Sequence, residues 1–156
     1  MKEGDLIQVA HVVRDLDKAM AYYWNELGIG PWDVYTFGPP ALRESMVRGK
    51  PSDHTYLLAV TWVRGVQLEL MQPLTGRSIY DEHLEKKGEG LHHIKFYYPD
   101  CQAALERFRR KGIQVIQSGK FDEDEFYYLD TEPTLGFIVE IGNNGKIREP
   151  ERRYPA

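Results

Sequence analysis

The stretch Gly88–Phe96 reads GEGLHHIKF. Gly88 and Gly90 punctuate a turn, and a strand-like run from Leu91 to Tyr98 follows. Side chains alternate along a strand, so His92 and His93 are predicted on opposite faces, one against a helix and one toward the concave side. Imidazole is the commonest metal ligand that stays neutral near pH 7. For one histidine alone, a hydrogen-bonded place in the core is the plainer reading. His11 supplies a partner, holding a matching place in VAHVVRDL near the start of the chain.

Working outward, Leu6–Val13 reads as a strand with Gln8, Ala10 and Val12 on one face and Val9, His11 and Val13 on the other. Asp15 is a plausible N-cap, and Leu16, Ala19, Met20, Tyr23 and Leu27 then form one helical stripe that Gly28 ends. Strands are predicted over Pro31–Phe37, Thr55–Val63 and Val66–Met71, with Ala41–Asp53 either a ragged strand or a loop. A short helix from Ser78 to Lys87 connects the halves. The pattern then repeats. His93 lies in a strand, Asp100 caps a helix that Gly112 ends, and Ile113–Gln117, Phe126–Asp130 and Gly136–Ile141 are strands. This is a tandem strand–helix–strand–strand–strand duplication, an α+β chain of two βαβββ modules over residues 6–73 and 90–143. No linker separates independent domains, so residues 1–156 are expected to form one unit with a polar tail from Asn143.

An apolar fraction of 42% is globular rather than disordered composition. A formal charge of −4 without a basic face argues against nucleic acid as a partner. The single Cys101 rules out an internal disulfide and fits a reducing compartment. No apolar run of about 18 residues and no signal pattern is seen, so a soluble cytoplasmic protein without a membrane partner is expected.

Each half carries a histidine in its first strand and a glutamate in its last, His11 with Glu69 and His93 with Glu140. Apolar neighbours flank His11, Glu69 and Glu140, so these side chains are predicted to leave the helix-packed face and enter the concave one. A lone buried glutamate is costly unless paired or bound to a cation. Taken singly, each residue reads as an edge carboxylate or a core histidine. Four at duplicated positions point instead to a divalent metal, and the mixed O/N set suits Zn, Co, Ni, Mn or Fe(II) over Ca or Mg.

VAHVVRDLDKA, VQLELMQP, GEGLHHIKF and GFIVEI together resemble the vicinal oxygen chelate superfamily, and EHLEKKGEGLHHIKF with LELMQP resembles its methylmalonyl-CoA epimerase branch. The resemblance runs from about Leu6 to Asn143. It implies paired modules whose curved sheets form a cleft around one metal, with His11, Glu69, His93 and Glu140 as ligands, and a homodimer. On this basis His93 rather than His92 is the ligand, and His92 is structural.

The resemblance also implies proton transfer at a carbon next to a carbonyl, as in an epimerase or racemase acting on a small molecule such as an acyl-CoA. Two groups must then reach opposite faces of that carbon. Glu140 maps to one. The other falls nearest Asp53, with Glu44 a second candidate, where the family has a glutamate. Lys95 departs from the family too. It either shares the cleft face as a base or anion anchor, or snorkels to solvent. Six aromatics, Trp32, Tyr35, Tyr56, Tyr97, Tyr127 and Tyr128, are candidates to line the cleft, and alternation sends about half behind the sheet. An aromatic lining would suit a ring-bearing carbonyl compound outside the CoA esters. A glyoxalase I-like lyase, an extradiol dioxygenase and a metal-free resistance protein are the other classes that the resemblance admits. Cys101 opens a helix, where a thiolate is favoured.

Overall fold

The carboxylate of Asp15 accepts from the Lys18 N–H at 3.0 Å and starts helix α1 (Leu16–Leu27), after strand β1 (Leu6–Val12). Such a cap contributes about 1 kcal/mol. Gly28 closes the helix at φ 66, a left-handed conformation that a glycine adopts without strain. The computed structural model describes residues 1–156. The first half continues with β2 (Trp32–Phe37), β3 (Leu42–Val47), β4 (Lys50–Pro51), β5 (Thr55–Val63) and β6 (Val66–Thr75). Ala41–Asp53 therefore contains a hairpin of two short strands. Ser78 caps α2 (Ile79–Lys87) in a reciprocal box with Asp81.

The second half contains β7 (Gly90–Tyr97), α3 (Cys101–Arg110), β8 (Val115–Phe121), β9 (Asp124–Leu129), the short α4 (Glu132–Leu135) and β10 (Ile138–Gly142). The tail ends in β11 (Arg152–Tyr154). All strands form one sheet in the order β11-β2-β5-β6-β1-β7-β10-β9-β8-β3-β4. The inner eight are two mirrored quartets, β2-β5-β6-β1 and β7-β10-β9-β8, joined by the antiparallel β1–β7 seam. The β3–β4 hairpin belongs to the first half in sequence but pairs with β8 of the second. The sheet curls until Phe37 of β2 and Phe121 of β8 stack at 3.9 Å, without closing into a barrel.

Behind the first quartet, Leu16 and Met20 of α1 bury Trp32, Val34, Ala59 and Leu70. Behind the second, Ala104 and Leu105 of α3 cover Leu129 and Ile141. The remaining core lies on the concave side, where Ile79 and Tyr80 of α2 plug one end against Val12, Met71, Tyr128 and Ile138. The other end stays open as the cleft. No helix is long and apolar enough to cross a membrane.

Candidate active site

The seam fixes which side chains face the cleft. Ala10 pairs with His93 and Gln8 with Lys95 across β1–β7. Ala10 also pairs with Glu69 on β6, and Lys95 with Glu140 on β10. Partners in a ladder share a face, so Gln8, Glu69, His93, Lys95 and Glu140 converge on the cleft floor. All five are at most 6% exposed.

Three oxygens surround one ring nitrogen. His93 Nε2 lies 3.2 Å from Gln8 Oε1, 3.3 Å from Glu69 Oε2 and 2.9 Å from Glu140 Oε2. Gln8 Nε2 donates to Gln67 Oε1, which turns the Gln8 carbonyl oxygen toward His93. The Lys95 ammonium sits 3.5 Å from Glu140 Oε1 and 3.7 Å from Asp124 Oδ2. Burial disfavours the charge on His93, but Glu140 and Glu69 outweigh it and raise the imidazolium pKa to about 9. Burial likewise opposes Lys95, and Asp124, Glu140 and Glu69 hold it above the ordinary lysine range. The two carboxylates diverge. Burial raises Glu69, whereas Lys95 and His93 overcome burial and lower Glu140. Burial pushes Asp124 up to about 6.

The structure brings together Glu69, His93 and Glu140 of the four expected ligands, but not His11. That ring lies on the opposite face of β1, with Nδ1 3.0 Å from the Tyr23 hydroxyl of α1. Gln8 stands in its place, three residues earlier and on the cleft face. The alternation along Leu6–Val13 already separated the two, and the cue was that Gln8, like Glu69, is a polar residue among apolar neighbours.

Asp53 is exposed between β4 and β5 and lines a surface depression with Glu44, Ser52 and Lys120, away from the cleft. Glu44 is 67% exposed and pairs with Lys120 at 2.9 Å. Neither reaches the cleft floor. Lys95 does, and the alternative of snorkelling to solvent fails because the carboxylates of Glu140 and Asp124 hold it. His92 also departs from expectation. The β1–β7 register shifts between Ala10↔His93 and His11↔Leu91, and this bulge turns His92 to the same side as His93. Its Nδ1 lies 2.8 Å from His93 Nδ1, and its ring packs edge-on to Tyr80 and His83 of α2.

The aromatics sort by face. Tyr35, Tyr56 and Tyr128 line the cleft with Phe37, Trp62 and Phe126, while Trp32 packs behind the sheet, and Tyr97 and Tyr127 lie outside the cleft. Cys101 is buried, and burial pushes its thiol up to about 12, so it is no thiolate.

No three His, Cys, Asp or Glu side chains stand in metal-holding geometry. The donor set nevertheless fits a divalent cation. Glu140 Oε2 is buried with no hydrogen-bond partner, although His93 Nε2 stands 2.9 Å away as an ion-pair contact. A buried anionic oxygen left unsatisfied among three further donors is what a bound cation would compensate.

The mirrored quartets and the polar floor between them define a glyoxalase-type cleft. Residues 7–128 match the Glyoxalase/Bleomycin resistance protein/Dioxygenase superfamily. The chain belongs to that superfamily. It is 32% identical over 118 residues to an ethylmalonyl-CoA/methylmalonyl-CoA epimerase of Cereibacter sphaeroides, covering 75% of this chain and 78% of the relative. The hypothetical protein BH1468 of Bacillus halodurans shares the fold at TM-score 0.69 and 19% identity, over 95% of this chain and 99% of that one. The methylmalonyl-CoA epimerase of Mycobacterium tuberculosis does so at TM-score 0.60 and 21% identity, over 89% and 86%.

Proposed function

We propose that the protein is a metal-dependent epimerase or racemase that moves a proton at a carbon next to a carbonyl, in the manner of the methylmalonyl-CoA epimerases. The observation that carries this reading is the convergence of Gln8, Glu69 and Glu140 oxygens on His93 Nε2 at the cleft floor, with Lys95 alongside. Gln8, Glu69, His93 and Glu140 would hold a divalent Co, Mn, Zn or Ni ion. Such an ion supplies polarisation of the carbonyl oxygen and stabilisation of enolate charge.

Glu140 takes the proton from the reacting carbon, since it faces the cavity and its charged form is favoured by Lys95. Lys95, which with Asp124 forms the titratable pair nearest Glu140, is the group that returns a proton to the other face of the carbon. Asp53 has no part, because it lies outside the cleft. Leu58, Val60, Phe126 and the tyrosines keep bulk water from the reacting carbon. The relative's name makes an acyl-CoA the first substrate class. The aromatic lining favours, as a second reading, a ring-bearing carbonyl acid.

Incubation in deuterated water with Mn(II) and methylmalonyl-CoA tests the proposal. Deuterium is expected at the stereogenic carbon, and chelator is expected to stop its uptake. Exchange that survives complete metal removal would overturn the metal-dependent mechanism.

A further inference from the structure

The segment after β10 takes no part in the chemistry above, yet it builds one wall of the cavity. Asn144, Gly145 and Ile147 line the same space of about 170 Å³ as Glu69, Lys95 and Glu140. The segment is tied along its length. Asn143 Oδ1 accepts from the Glu125 and Gly145 N–H groups at 3.0 Å each, and the Glu123 N–H donates to the Lys146 carbonyl at 3.1 Å. The Arg148 guanidinium grips Asp122 at 2.7 and 3.0 Å and lies 4.7 Å over the Phe121 ring. Glu151 then accepts from the Thr36 N–H and hydroxyl on β2 at 3.0 and 2.9 Å. The strap therefore runs from the β8–β9 turn to the far edge of the first quartet. Gly145 lets it lie this close, because a Cβ there would overlap the Glu123 carbonyl.

The cavity lining is part polar and part apolar. Gln8, Glu69, Lys95 and Glu140 are the polar part, where a carbonyl and an anionic group belong. Ile147 belongs to the apolar part and packs against the cluster containing Tyr35, Phe37, Tyr56 and Phe126. A substrate bound by its oxygens to the polar groups leaves the other substituent of its reacting carbon to the apolar lining. We propose that Ile147, held in position by the Arg148–Asp122 anchor, limits how large that substituent can be, so the site takes compact carbon acids with a short alkyl branch. This rests on the carbon-acid reading and adds the residue that sets its substrate range.

Calorimetric titration with methyl-, ethyl- and butylmalonate, with and without Mn(II), reads this wall without turnover. The intact protein is expected to lose affinity by about tenfold or more between the ethyl and butyl compounds, a discrimination ordinary for a methylene or two against a packed wall. Ile147→Ala removes three carbon atoms from that wall and is expected to bring the butyl-to-methyl affinity ratio up by about tenfold. Ile147→Val, which perturbs packing least, is expected to fall between. An unchanged size profile in both variants, or no binding of any malonate, would overturn the proposal. Deuterium uptake from methylmalonyl-CoA is scored separately. A size profile that shifts without any exchange would leave the strap in its role and remove the epimerase reading.

Discussion

Gly142 and Lys95 approach each other so closely, across the pairing of β10 with β7, that a Cβ on the glycine would overlap the lysine Cε. The bare backbone at Gly142 is thus the space into which the lysine stem folds to reach Glu140 and Asp124. Gly142→Ala is expected to cost about 1–3 kcal/mol, the usual range for overpacking a core. In urea denaturation, Gly142→Ala combined with Lys95→Ala should cost less than the two singly measured losses added together. Strict additivity would place the obstacle at the Glu125 carbonyl, the neighbouring backbone atom, instead.

Metal content separates the two faces of β1. His93→Ala and Gln8→Ala are expected to lower the affinity for Mn(II) or Zn(II), whereas His11→Ala should leave it unchanged, since that ring bonds to Tyr23 behind the sheet. Loss of metal in the His11 variant would contradict the placement of Gln8.

Much of this arrangement was legible in the chain because the signals are local. Asp15 and Asp100 each accept the backbone hydrogen bond expected of an N-cap. Glu69 and Glu140 were marked by a carboxylate between apolar neighbours. Gln8 is likewise polar between Ile7 and Val9, but so is His11 between Ala10 and Val12, and alternation assigns the two to opposite faces without saying which face is concave. That choice is made by the long-range pairing of Gln8 with Lys95 and Gln67. The bulge at His92 has no local signature either, since it arises from the mismatch between β1 and β7. Asp53 looked suitable only by counting, and the β3–β4 hairpin carries it outward.

His92 supports His93 from behind. Whether Nε2 of His93 meets a proton or a metal, its remaining proton belongs on Nδ1, which faces His92 Nδ1 at 2.8 Å. His92→Phe deletes that acceptor and is expected to weaken metal binding by about 10- to 100-fold. His92→Asn offers an oxygen near the same place and should recover part of the affinity. Equal behaviour of the two variants in a metal titration would show that only the bulk of the ring matters.

The strap anchor gives a pH dependence with a defined sign. The hydrogen bonds from Arg148 hold the Asp122 carboxyl at about 2, below its ordinary 3.8. A value depressed in the folded state stabilises above the unfolded pKa, and the contribution is lost as the pH falls through the folded one. Asp122→Asn should therefore be less stable than the parent at pH 7 by no more than about 1 kcal/mol, the pair being solvent-screened. That difference should close as the pH falls from about 4 to about 2. Denaturation at a series of pH values checks it, and a gap that widened in acid would refute the assignment.

The pairing of β11 with β2 also bears on how a nascent chain survives its own synthesis. Arg153 reaches Asp33 across 120 positions of sequence. At about 5–20 residues per second, a ribosome needs between about 6 and 24 s to deliver the strand that covers the outer edge of β2. During that interval the backbone of Trp32–Phe37 offers unpaired donors and acceptors to any neighbouring extended chain. Translation speed downstream of β2 thus sets the time during which misassembly competes with native closure.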